Sequence, residues 1–182
     1  MAANKHTLVA LVEDRPGVLN RMASLCRRRG FNIESIAVGH SEIPRMSRMT
    51  IVVDGTTVLV EQLRKQLEKL VVTVKVSDIT SNDIIARELA LLKVRATSAT
   101  RSEIIQIVDV FRANIVDVAA DSLTIEVTGE EDKVDSLIRL LQGFGIREVT
   151  RTGRIALTRG TAGLLSPEKN TPARRARKQK AA

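Results

Sequence analysis

The sequence predicts an α+β protein built from two successive βαββαβ sandwiches. Three observations predict it. Short β-type runs alternate with stretches of helical spacing in one fixed order. That order occurs twice along the chain. Turn residues stand where the period changes. With 182 residues, the chain can form two small units of about 80 residues each.

Thr7 to Val12 reads as the first strand. From Pro16 to Arg28, Leu19, Met22 and Cys26 recur at helical spacing, and Val18 and Leu25 widen the stripe. Asp14 is the natural N-cap, Pro16 suits the first turn and Gly30 is the natural stop. Asn32 to Val38 and Arg48 to Val53 read as two strands joined by a polar loop around Pro44. Asp54-Gly55 breaks the pattern. Leu59, Leu63, Leu67 and Leu70 then mark a second helix, and the valine-rich run Val71 to Val76 is a fourth strand.

The second half repeats the order. Glu88 to Val94 is a strand, and Ser102 can cap a helix carrying Ile104, Ile105, Val108 and Phe111. Ile115 to Val118 and Leu123 to Val127 are strands flanking Asp121-Ser122. Val134, Leu137, Ile138 and Leu141 lie on a helix that stops near Gly143. Ile146 to Val149 closes the unit, and Ile155 to Leu157 can add a strand. Two ferredoxin-like sandwiches result, each an antiparallel sheet with both helices on one face. Polar residues from Ser77 to Asp83 place the boundary, giving units 1–78 and 79–160 and a basic tail, 161–182. Each core is small, and each sheet has an uncovered face and open edges, so pairing between copies is expected.

Composition narrows the function. A hydrophobic fraction of 43% with 27% charged residues suits a soluble globular protein. No apolar run is long enough to cross a bilayer, and the N-terminus lacks a signal-peptide core. The single cysteine, Cys26, falls on the apolar side of the first helix, which excludes a disulfide framework and fits the cytoplasm. Most of the net charge of +8 comes from residues 161–182, with six cations against Glu168 alone. Such a segment has little to bury and is expected to be a solvated extension.

Catalytic constellations are sparse. His6 and His40 lie far apart and read as surface residues, with no second ligand at metal-binding spacing. Glu130 and Glu131 suit a helix start, and Asp132 and Asp135 read as solvated helix positions. No phosphate-binding loop or nucleophile motif occurs. Sheet-based nucleic-acid binding would need paired aromatic platforms, but the chain has three Phe and no Trp or Tyr.

The remaining chemistry lies at the first turn. Backbone N–H groups from Arg15 to Val18 can hold a carboxylate, and Gly17 allows close approach. Oxygens of Asp14 and Asn32 can accept from an ammonium group. Val18, Leu19 and Ile33 can line an apolar wall. Together they suit an aliphatic amino acid. On spacing alone, an ordinary N-cap and turn accounts for these residues better than a binding site does.

These same residues closely resemble the small, regulatory subunit of acetolactate synthase (acetohydroxyacid synthase). The matching segments are Leu11–Arg21, Arg29–Ile36, Ser47–Ile51, Glu88–Val94 and Arg151–Gly160, so the likeness spans about residues 5–160. The run Gly30-Phe-Asn-Ile-Glu-Ser35, followed by Ser47-Arg-Met-Thr50, is its most specific part. An acid-Pro-Gly turn alone would indicate only an ACT domain, the wider amino-acid-sensing class. The resemblance implies an N-terminal ACT domain and a distinct C-terminal ferredoxin-like domain. It also implies a subunit without an active site, which activates a catalytic large subunit and confers feedback inhibition by valine or a related amino acid. Thiamine diphosphate, magnesium and FAD would belong to that partner, with no cofactor or metal in this chain. The effector would lie where the ACT domains of a homodimer meet, between the turn of one and the Asn-Ile strand of the other. The implied effector residues are Asp14, Arg15, Pro16, Gly17, Val18, Asn32 and Ile33, with Gly17 as the close-approach residue and Asn32 as the partner-side amide. Asp14 stands where relatives often carry Asn. That difference keeps open a scaffold subunit that activates without sensing. An ACT-type nucleic-acid regulator acting through the basic tail is a further alternative.

Overall fold

The computed structural model describes residues 5–160, so the basic tail expected at 161–182 lies outside the described residues. The first unit comprises β1 (Lys5–Glu13), α1 (Val18–Arg28), β2 (Ile33–His40), β3 (Met46–Asp54), α2 (Thr57–Glu68) and β4 (Thr73–Asp78). Its sheet has the order β2-β3-β1-β4, antiparallel throughout. The second unit comprises β5 (Ile84–Arg95), α3 (Arg101–Val110), β6 (Asn114–Val118), β7 (Ser122–Gly129), α4 (Glu131–Leu141) and β8 (Ile146–Arg151). Its order, β6-β7-β5-β8, repeats the first. The chain is therefore an α+β tandem of βαββαβ sandwiches.

One core lies beneath each helix pair. In the first, Leu8, Ala10 and Val12 of β1 meet Met22 and Cys26 of α1 and Val60, Leu63 and Leu67 of α2. In the second, Ala90, Leu92 and Val94 of β5 meet Ile104 and Val108 of α3 and Val134, Leu137 and Leu141 of α4. Burying one such side chain contributes about 1.5–3 kcal/mol, and these rows hold both helices on one face of each sheet.

The opposite faces differ from the expectation. β1 is buried on both sides, because Val9 and Leu11 pack against Ile79 and Ala156. Ala156 belongs to β9 (Ile155–Thr158), which pairs with the first residues of β5, Ile84 to Arg87. The ribbon of β5 and β9 thus covers part of the first sheet, and Arg48 Nη2 donates to the Ala156 carbonyl at 2.8 Å. The second sheet keeps its outer face open, with Leu91, Lys93 and Arg95 exposed along β5.

Several local expectations change. The stripe of α1 is Val18, Met22, Leu25 and Cys26, and Leu19 points outward. In α2, Val60 takes the inward position expected of Leu59, which is half exposed, and Leu70 lies beyond the helix. β4 starts at Thr73, leaving Val71 in a turn and 85% exposed. Asn32 precedes β2 rather than opening it. β5 begins four residues before Glu88, because β9 gives those residues a partner. Thr100, not Ser102, is the N-cap of α3, and Thr97 and Thr100 exchange backbone-to-hydroxyl bonds there. His6 is not a surface residue: it is 6% exposed, with Nδ1 3.0 Å from Asp78 Oδ2. Asp135 is not merely solvated either, since Arg151 Nη1 donates to it at 2.7 Å.

Candidate functional site

The turn after β1 is pinned from two sides. Glu13 N–H donates to the Val72 carbonyl and Asp14 N–H to the Arg45 carbonyl, each at 2.9 Å. Arg15 Nε bonds Glu13 Oε2 at 2.7 Å, and Pro16 contributes no N–H. Gly17 is the N-cap of α1, with φ of 86°, in the left-handed region that favours glycine. Asp14, the expected cap, does not cap, because no side chain bonds the first turn. Its carboxylate instead stands 3.1 Å from His40 Nδ1 at the end of β2.

Uncapped donors are therefore concentrated here. Among the described residues, the N–H groups of Gly17, Leu19 and Asn20 find no backbone acceptor, while Val18 N–H reaches the Arg15 carbonyl only at 3.5 Å. They add to the positive end of the α1 dipole, an arrangement that favours a carboxylate. A Cβ placed on Gly17 would meet nothing within 4 Å among the described residues, so they leave room beside the turn. Val18 is buried in the core and can offer a ligand only its backbone, not the apolar wall expected of it.

Asn32 and Ile33 lie elsewhere. Glu13 is level with Met46 on β3, whereas Ile33 is level with Val53. The seven-residue difference along β3 puts the turn and the Asn32 end of β2 about 23 Å apart along the strand direction. One chain therefore does not unite the predicted residues. β2 is an edge strand, and Ile33 is partly buried against the core. The residues that the structure places beside Asp14 are His40 and Arg45. Spacing gave no sign of either, because their proximity depends on the β2–β3 turn, where Arg45 takes φ of 63°.

Other reactive groups are structural. Burial pushes the Cys26 thiol above its ordinary pKa, away from the thiolate needed for nucleophilic chemistry. Among the described residues, no three His, Cys, Asp or Glu side chains stand together as metal ligands. No helix among them is long and apolar enough to cross a membrane.

The βαββαβ topology, with a glycine-capped helix following an acid-Pro-Gly turn, defines an ACT-type protein. Residues 8–75 match the family model described as AHAS small subunit-like ACT domain, and residues 87–160 match the model for the small subunit of acetolactate synthase. The chain is 54% identical over 156 residues to a probable acetolactate synthase small subunit of Archaeoglobus fulgidus, covering 86% of this chain and 98% of the relative. It is 51% identical over 159 residues to the acetolactate synthase small subunit of Mycobacterium leprae, covering 87% and 94%. The crystal structure of the Thermotoga maritima small subunit aligns with a TM-score of 0.80 at 42% identity, covering 87% of this chain and 99% of that one. The chain belongs to the acetolactate synthase small-subunit family: it is a regulatory subunit, and the family name implies a catalytic large-subunit partner in branched-chain amino acid biosynthesis.

Proposed function

We propose that this chain activates the catalytic large subunit in the cytoplasm and makes it sensitive to valine or a related branched-chain amino acid. The carrying observation is the Asp14 to Val18 turn, where N–H groups lack backbone acceptors among the described residues and Gly17 leaves room for a ligand. The effector carboxylate sits on these groups, and its ammonium faces Asp14. Because Asn32 lies at the far end of β2, a second copy supplies it. Antiparallel pairing of two β2 edges brings the turn of one ACT domain beside Asn32 and Ile33 of the other, and such pairing shields an exposed strand edge. The working unit is thus a homodimer, with domains close to 1–78 and 79–160. Thiamine diphosphate, magnesium and FAD reside in the large subunit.

Regulation follows from differential affinity. Effector binding shifts the dimer only to the extent that it binds one arrangement more tightly, and a coupling of about 1–3 kcal/mol gives a several-fold to hundredfold effect. Calorimetry with valine, leucine and isoleucine tests the reading directly. At least one should bind, and Gly17→Asp should abolish binding by placing a strained, negatively charged side chain against the carboxylate. Absence of binding by all three removes the sensor.

The contact between Asp14 and His40 favours a second reading, a scaffold subunit that activates without sensing, because it occupies the carboxylate needed for the ammonium. Activity of the reconstituted holoenzyme with and without valine separates the two.

A further inference from the structure

We propose that the groove along α2, beside the end of α1, docks on an acidic, apolar-tipped surface of the catalytic large subunit; the proposal rests on the subunit reading above. The groove encloses about 550 Å³ and has Phe31, Leu59 and Leu63 among its lining residues. It runs from Leu59 to Lys69, about 15 Å of helix. Leu59 is half exposed there, although Leu63 beside it is buried.

The rim is unbalanced in charge. Arg29, Lys65 and Lys69 line the groove, and the single acid among the lining residues, Glu68, is held by Arg64 at 2.5 Å. Lys65 reaches Glu61 only at 3.4 Å, and that carboxylate already binds Arg64 at 2.7 Å. Arg29 and Lys69 have no acidic partner among the described residues, and neither do Arg27 and Arg28 in the last turn of α1. Elsewhere in the fold some cations are matched, Lys5 by Glu34 and Glu131 and Arg151 by Glu88 and Asp135, while Arg21, Arg45 and Arg112 have no acidic partner among the described residues either. What sets the groove apart is that its cations surround an exposed apolar residue, Leu59.

An apolar centre within a ring of charge is the anatomy of a protein docking site. Covering the free cations without supplying carboxylates would strand their charge, so the occupant must be acidic. Phe31 is the one aromatic residue of the lining, which offers a run of bases no stacking surface. A protein surface therefore fits better than nucleic acid.

The test measures binding of purified large subunit to the full chain at about 50 and 300 mM NaCl. The double variant Arg29→Glu/Lys69→Glu should weaken binding roughly a hundredfold at low salt and flatten the salt dependence. Leu59→Ala should weaken it about tenfold while leaving the salt dependence in place. All three changed residues are exposed, and thermal melting verifies the fold. Binding by the double variant within threefold of wild type would overturn the docking face alone. A wild-type chain that bound no large subunit would overturn it together with the subunit reading. Binding of mixed-sequence RNA abolished by the double variant, with large-subunit affinity unmoved, would assign the face to nucleic acid and overturn the proposal as well.

Discussion

At the scale of single residues, Gly17 shows how one backbone angle makes a site. Its φ of 86° lets the chain leave β1 and enter α1 with donors uncovered, and a Cβ there meets open space. Gly17→Ala is therefore strained without being crowded. It should destabilise the chain by about 1–2 kcal/mol, read from the urea midpoint. Asp14 makes a different prediction. Its pair with His40 is solvent-exposed, so Asp14→Asn should change stability by less than about 0.5 kcal/mol. The same change should weaken valine binding in calorimetry, because an amide attracts an ammonium group less than a carboxylate does. Unchanged affinity would place the effector's ammonium elsewhere. The sequence revealed the acid, the proline and the glycine, but not that Asp14 faces His40. Nor did it show that Val18 is turned into the core. Those facts depend on where β2 ends and on which face of α1 meets the sheet.

At the scale of elements, nearly every strand and helix was legible because its period was clear. The misreadings cluster at edges, where tertiary partners decide. Leu59 fits the leucine spacing of α2 but sits in the first turn, where Val60 faces the core instead. β9 is four residues long, and its neighbours explain it better than its own sequence does. The turn Thr152-Gly153-Arg154 carries β8 into β9 and seats itself on β2. Gly153 has φ of 82°, and an added Cβ would stand 2.7 Å from Ser35 Oγ and 3.3 Å from the Ile36 carbonyl. Arg154 N–H donates to Ser35 Oγ at 2.9 Å. Gly153→Ala should therefore cost about 1–3 kcal/mol. Ser35→Ala should cost about 1 kcal/mol by losing the hydrogen bond. Since both act on one contact, the double variant should lose less than the sum, which a double-mutant cycle in urea would read. Full additivity would show that the turn does not bear on β2.

At the scale of the whole molecule, the repeated order of strand and helix periods suggested two sandwiches with open faces, yet the β5–β9 ribbon closes part of one. No local period encodes that contact, because Val9 and Leu11 alternate with core residues on a strand that reads simply as apolar. The junction is sealed at its rim by charge. Lys5 Nζ lies 2.8 Å from Glu131 and 3.1 Å from Glu34, and Arg154 bonds both Glu131 and Thr7. Lys5 chiefly holds the Glu131 carboxyl below its ordinary value of 4.5, against the opposing effect of partial burial, and Glu131 in turn raises Lys5 above 10.5. The signs fix the pH window. A depressed carboxyl contributes its stability fully above about pH 4.5, and that stability drains as pH falls through the folded pKa. A raised amine contributes fully below about pH 10.5, and its share drains as pH rises through its folded pKa. The junction is therefore strongest across the neutral range. Glu131→Gln should lower stability by about 1 kcal/mol at pH 7. Urea midpoints of the two proteins should converge as pH falls from about 4.5 through the lowered pKa of Glu131, because wild type then loses the same charge. They should converge only partly above pH 10.5, where Arg154 still holds Glu131. A gap of constant size across that range would mean that the cluster merely decorates the junction and that apolar burial at Val9, Leu11, Ile79 and Ala156 alone joins the two units.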